Sequence, residues 1–281
     1  MSPRPKTVTG AAAEGALARI LLTWEPLPWE PLVDHFRVYG APGEDAPDVD
    51  DEEQLVGRTV YPRFEHRDLD LAGETWTYRV LAVSDAGRRG RAGDPVTAAS
   101  TPSVTTTGEA VATIGEVDGR TLEHHLAPGS YARIPEAHPD ALIEYVDGED
   151  TPGEAWPYLL PGPLDAWAGS RSYRARWTLT LEAAPTEDHD LALWFVDTTR
   201  KGGTLQVTVN DAHLEDLELA IGATRGSREG DATAEGSPLV RSFHELPVPA
   251  AMLRAGENVI GLEITAGAWA AWDALGLYAR R

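Results

Sequence analysis

The chain has 281 residues, with 24 Lys and Arg against 45 Asp and Glu, a formal net charge of −21 at pH 7. Such a surface repels polyphosphates and anionic lipid, which excludes nucleic acid and membrane surfaces as partners. The absence of cysteine excludes disulfides, thiolate nucleophiles and zinc–thiolate sites. Hydrophobic residues make up 42%, enough for packed cores, and no apolar run reaches the roughly 18 residues of a membrane span. Pro (21) and Gly (27) are frequent, as in domains built of many short strands. The length fits two domains. The N-terminal MSPRPKTVTGAAAEGALAR has no basic–apolar–small signal-peptide pattern, which leaves a cytoplasmic protein or a piece of a secreted one as alternatives.

In chain order, residues 16–99 alternate between short apolar runs and turn clusters. Leu17 to Trp24 reads as two strands merging. Asp34 to Gly40 places Phe36 and Val38 on one face and Arg37 and Tyr39 on the other. Thr75 to Val83 places Trp76, Tyr78, Val80 and Ala82 together and ends at the turn Ser84-Asp85-Ala86-Gly87. Val96 to Ala99 closes the sheet. Period two without helical periodicity predicts a β-sandwich.

The segments LTWEPL, HFRVYG and DLDLAGETWTYRVLAVSDAGRRG resemble a fibronectin type III domain. The resemblance implies that Trp24 is a core residue. It also implies that Trp76 stands where the family has the tyrosine of its corner motif, so the hydroxyl is lost while an indole N–H remains to donate. Glu44 to Glu53 holds seven carboxylates. Counted from Asp48, positions six and twelve are Glu53 and Thr59, where a calcium loop of the EF-hand type needs Gly and Glu. The run therefore reads as a solvated loop.

Residues 100–110 read as a short linker. Residues 1–106 carry a net charge of −6 and residues 107–281 a net charge of −15. Beyond the linker, Tyr173 to Leu181 alternates, with Tyr173, Ala175, Trp177, Leu179 and Leu181 on one face. Leu191 to Val196 is a buried strand. Thr204 to Val209 stops at Asn210-Asp211, a hairpin signal. Pro249 to Leu253 is at most a helical turn, and Asn258 to Thr265 and Trp272 to Ala279 are the last strands. The pattern predicts a larger β-sandwich of the jelly-roll type.

Thr113-Ile114-Gly115-Glu116-Val117-Asp118-Gly119, His138-Pro139-Asp140, Trp177-Thr178-Leu179, Thr208-Val209-Asn210, Ala255-Gly256-Glu257-Asn258-Val259-Ile260 and the closing Trp272-Asp273-Ala274-Leu275 follow one another. In that order they resemble the last domain of family 4 polysaccharide lyases, the rhamnogalacturonan lyases. The resemblance implies a galactose-binding-like, carbohydrate-binding module and an extracellular setting. It does not imply lyase activity. The family's catalytic Lys and His lie in a large separate domain that no part of this chain resembles.

A sugar site needs a flat ring for C–H faces and directional polar groups for hydroxyls, and acidic sugars add a need for cations. Trp156, Tyr158 and Trp167 lie in a Pro/Gly-rich stretch outside the alternating strands, whereas Trp177 and Trp194 sit within strands and read as core. Arg200 and Lys201 form a basic pair on an acidic background, with Arg225 and Arg228 in the loop 222–236. Related jelly rolls hold structural Ca²⁺ between an early acidic residue and an Asp of the last strand. Asp118 or Glu123 and Asp273 match those places. His124 and His125, adjacent on a strand, would point to opposite faces and do not make a metal pair. His138 beside Pro139 reads as a loop-fixing residue. No nucleophile elbow, P-loop, HExxH or G-x-G-x-x-G occurs.

The expectation is an all-β chain of two β-sandwich domains. Residues 1–106 form a fibronectin type III-like domain with its linker, and residues 107–281 form a galactose-binding-like jelly roll. The protein is expected to be a monomeric, non-catalytic binder or spacer, or the C-terminal part of a secreted enzyme, directed to an acidic (pectic) polysaccharide or oligosaccharide. No cofactor is expected apart from the structural Ca²⁺. The alternatives are a rhamnogalacturonan lyase and an interaction module without a sugar ligand.

Overall fold

The computed structural model describes residues 4–28 and 33–280. The chain divides into two compact units, Met1–Thr106 and Thr107–Arg281. Among the described residues the first holds seven strands: β1 (Ala12–Ala16), β2 (Arg19–Thr23), β3 (Val33–Pro42), β4 (Leu55–Thr59), β5 (Arg63–His66), β6 (Thr75–Ser84) and β7 (Val96–Ala99). They form two antiparallel sheets in the orders β1-β2-β5 and β4-β3-β6-β7. This is the three-on-four arrangement of a fibronectin type III sandwich. Ile20, Leu22, Trp24, Phe36, Val38, Tyr78, Val80 and Ala82 fill the space between the sheets, with Trp24 meeting Phe36 edge-on at 5.2 Å.

Leu17 to Trp24 is not one run. Ala18 adopts a left-handed φ of 53°, and the chain turns there between β1 and β2. Tyr39, on the face opposite Phe36 and Val38, is also fully buried, in a small second cluster with Leu81, Val83 and Ala92. Trp76 uses its indole N–H on Glu74 Oε2 at 2.5 Å, so the corner position keeps a donor. The acidic run is only partly solvent-directed: Glu52 pairs with Arg37, Asp50 with Arg89 at 3.3 Å, and Asp51 caps a 3₁₀ turn at Glu52–Gln54.

The second unit holds β8 (Glu109–Gly115), β9 (Leu142–Val146), β10 (Leu159–Pro161), β11 (Arg174–Leu181), β12 (His189–Thr198), β13 (Gly203–Val209), β14 (Ala212–Leu219), β15 (Ser242–Val248), β16 (Gly256–Gly267) and β17 (Trp269–Ala279). One sheet runs β10-β17-β12-β15, with β8 also paired to β17. The other runs β14-β13-β16-β11-β9, where β9 and β11 are parallel. Trp177, Phe195, Leu205, Ile260, Leu262, Leu275 and their neighbours form the core. Trp194 is equally buried but packs against Phe243 at 4.3 Å. All ten residues of β12 are buried, as a central strand covered on both faces requires. The β13–β14 hairpin turns on Asn210 and Asp211, both with positive φ (52° and 66°), the type I′ geometry that their sequence favours.

Candidate functional site

The three loop aromatics separate sharply. Trp156 and Tyr158 are completely buried. Trp156 lies between Tyr145 and Trp272, at 6.1 and 5.9 Å. Tyr158 donates its hydroxyl to Ser227 O at 2.9 Å, and burial raises its pKa. Their segment is drawn inward because β10, directly after them, pairs with β17, and because Trp272 N–H donates to Tyr158 O at 2.8 Å. A ring with no exposed face cannot stack on a sugar, so the sequence expectation for these two residues is corrected: they are core.

Trp167 is 64% exposed. It sits on a 3₁₀ turn whose N-cap is Asp165, with Oδ1 accepting from Trp167 N–H, and which closes on Gly169 at φ 83°. Tyr131 meets the indole edge-on at 5.8 Å. Leu164, also 64% exposed, lies on the same loop. The ring is thus open yet fixed at its base. Leu164 N–H donates to Gly267 O at 3.0 Å, and a Cβ on Gly267 would lie 2.6 Å from Gly202 O. The loop of Trp167 and the turn of Arg200 and Lys201 therefore both border the β16–β17 turn. Arg200 and Lys201 are exposed. Next to them, Asp197 is fully buried and accepts from Ala223, Arg225 and Gly226 N–H at 2.7, 2.8 and 2.8 Å, so its carboxylate shapes the loop after β14.

A second polar surface went unread in the sequence. On the outer face of the β14-β13-β16-β11-β9 sheet, Gln206, Glu263 and Arg174 fall in one cross-strand row. Thr208, Gly261 and Arg176 fall in the next. They line a groove of 280 Å³ together with Asp211. Arg174 contacts Glu263 at 3.3 Å and Arg176 approaches Asp211 at 3.8 Å. The signal was present in the alternation of Tyr173 to Leu181, whose polar face carries both arginines.

Asp118, Glu123 and Asp273 do come together, but not as a calcium site. Asp273 Oδ1 accepts three backbone N–H groups, from Asp118, Gly119 and Arg120, at 3.2, 2.9 and 3.3 Å. His124 Nε2–H donates to Asp273 O at 2.9 Å and stands 3.5 Å from Glu123 Oε1, which itself accepts Glu116 N–H. Asp118 Oδ1 accepts Arg120 N–H. One oxygen of each of the three carboxyls is turned to N–H donors. The second oxygens, Asp118 Oδ2, Glu123 Oε2 and the buried Asp273 Oδ2, fall short of the six to eight that Ca²⁺ takes. Among the described residues no group of three or more His, Asp or Glu side chains is arranged to hold a metal. The residues do not fit Ca²⁺ in this arrangement, which corrects the sequence expectation. Burial pushes the Asp273 carboxyl up to about 7 and keeps His124 below its usual pKa. His138 donates Nδ1–H to Leu142 O at 3.1 Å and so fixes its loop.

The fold is that of an all-β protein whose two units are each built of packed, mostly antiparallel sheets. The model of the carbohydrate-binding-module-like domain III of polysaccharide lyase family 4 matches residues 111–277, and the chain belongs to that family. No curated protein sequence matches the chain. Solved structures similar to it include three at low similarity. A fibronectin type III domain of human fibronectin type III domain containing protein 3 shows 11% identity over 37% of this chain and 93% of that one, TM-score 0.30. A family 35 carbohydrate-binding module from an environmental isolate shows 15% over 38% and 66%, TM-score 0.28. The twitchin kinase region of C. elegans shows 20% over 36% and 17%, TM-score 0.29. The chain spans about a sixth of the twitchin region's length. At these scores the fold is defined by the strand order of the chain itself.

Proposed function

We propose that the chain is a non-catalytic carbohydrate-binding protein, extracellular and monomeric. Its second unit takes an acidic, pectin-type polysaccharide, and its first unit presents that module. The observation that carries this reading is Trp167: a large ring held open on a capped turn, in a loop that borders the same β16–β17 turn as the segment of Arg200 and Lys201. The indole would stack on a sugar face while the cations meet a uronate carboxylate. The family match supports the ligand class. The groove with Arg174 and Arg176 supports a second placement of the same ligand. The lyase alternative finds no support in His138, whose Nδ1–H is engaged by Leu142 O.

Calorimetric titration with galacturonate oligomers tests the proposal. Trp167→Ala should weaken binding about 5–30-fold, the loss of one stacked ring. Arg200→Gln with Lys201→Gln should weaken it further for acidic oligomers and not for their methyl esters. Binding that survives Trp167→Ala and is lost in Arg174→Gln/Arg176→Gln would move the site to the sheet groove. Release of unsaturated uronate by the purified chain, followed by its absorbance, would overturn the non-catalytic reading.

A further inference from the structure

The first unit holds a basic groove that the presenting role leaves unused. Strands β2 and β5 turn Ile20 and Leu22 to the core, which leaves Arg19, Leu21, Arg63 and Glu65 on the outer face of the β1-β2-β5 sheet. With the β4–β5 turn they enclose a groove of 640 Å³ lined by Arg19, Arg58, Arg63, Arg67 and Tyr61. Four arginines against Glu14 and Glu65 make it cationic on a unit of net charge −6.

The four are not equivalent. Glu65 binds Arg19 at 2.6 Å and Arg67 at 2.5 Å. Burial works against the Glu65 charge, yet these two guanidiniums hold its carboxyl below the usual range. Arg58 and Arg63 are exposed and form no ion pair among the described residues, although the Arg58 charge is felt at a distance by Glu52. Arg63 lies over the ring of Tyr61 at 5.9 Å, and that ring is 62% exposed. The groove thus offers two free planar forks, an open aromatic face and an exposed aliphatic side chain, Leu21.

We propose that this groove is a second binding site, for an acidic oligosaccharide, so that the first unit binds the polymer as well as presenting the second. Guanidinium forks match carboxylates bidentately, and a ring partnered by a cation suits the C–H face of a charged sugar. Arg63 opens β5, and Arg67, which shares the groove and is held by Glu65, follows the strand's end, four residues and about 13 Å away in extended chain. A small anion does not span that distance, and a chain of uronate residues does. A polyphosphate would meet Glu14 and Glu65 in the walls with too dense a charge. The proposal does not rest on the second unit's site.

The test uses the full chain and a galacturonate oligomer long enough to span the groove, beside its methyl ester. Wild type should bind the acid at two sites and more weakly as ionic strength rises. Arg58→Gln/Arg63→Gln should lose one site or weaken it about 10-fold, the effect of a charge-assisted contact, and Tyr61→Ala should weaken the same site. These side chains are exposed, and an unchanged melting temperature confirms that the variants fold. Trp167→Ala should leave this site intact, so the two proposals fail separately. A control, Arg88→Gln/Arg91→Gln, removes the same charge from the turn after β6. The proposal is overturned if the control weakens binding equally, if the methyl ester binds this site as well as the acid, or if Arg58→Gln/Arg63→Gln binds like wild type. It is overturned too if the groove variants abolish only self-association in sedimentation, which would make a second copy the occupant.

Discussion

Asp273 holds a proton more tightly in the folded chain than in the unfolded one, because burial raises its carboxyl from 3.8 to about 7. The folded state therefore binds the extra proton between those two values. The associated stability is complete below the unfolded pKa and is lost as pH rises toward 7. Asp273→Asn keeps an oxygen for the three amides of Asp118, Gly119 and Arg120 without a charge to bury. It should raise the melting temperature at pH 8 and leave it nearly unchanged at pH 4. Added calcium should not shift the wild-type melting temperature. A calcium-dependent rise that Asp273→Asn abolishes would restore the metal reading. Among the tryptophans the same scale separates packing from presentation. Trp156→Ala should cost about 3–5 kcal/mol in denaturant unfolding, as buried aromatic truncations do, while Trp167→Ala should stay within about 0.5 kcal/mol of wild type. Sequence did not distinguish these two rings. Both stand in a Pro/Gly-rich stretch without periodicity, and burial of the first depends on Leu159 pairing with Ala271 across more than a hundred residues.

At the scale of elements, legibility followed alternation. β11 and β13 have one apolar face and show it by period two, and β3 and β6 show the same period on their inner face, although Tyr39, Leu81 and Val83 are buried on the other as well. β10 is three residues long, and β14 exposes most of its length, so neither carries a clear stripe. β11 was read for its apolar face alone, which is why Arg174 and Arg176 were passed over. The loop after β14 has no periodic apolar pattern, leaves Ile221 exposed, and takes its shape from a distant carboxylate. Asp197→Ala would leave the amides of Ala223, Arg225 and Gly226 without their acceptor, at a cost of about 1–3 kcal/mol. Tryptic cleavage after Arg225 and Arg228 should accelerate in that variant well before global unfolding. Cleavage at the wild-type rate would mean that the loop holds itself.

For the whole molecule, each unit has its own core and its own sheets. Residues 107–281 expressed alone should melt in one cooperative transition, and a fragment without one would place the boundary elsewhere. The second unit also carries most of the negative charge, −15 of the total −21. Part of that charge stands on β14, the outermost strand of its sheet, as Glu215, Asp216 and Glu218. An unpaired strand edge is a template on which another chain can add, and like charges on it forbid the addition. His213, on the same strand, stands 3.2 Å from Asp216, while Glu215 and Glu218 remain as like charges along the edge. A few side chains on one outermost strand thus keep this sheet finite, and the rest of the sheet is spared the task.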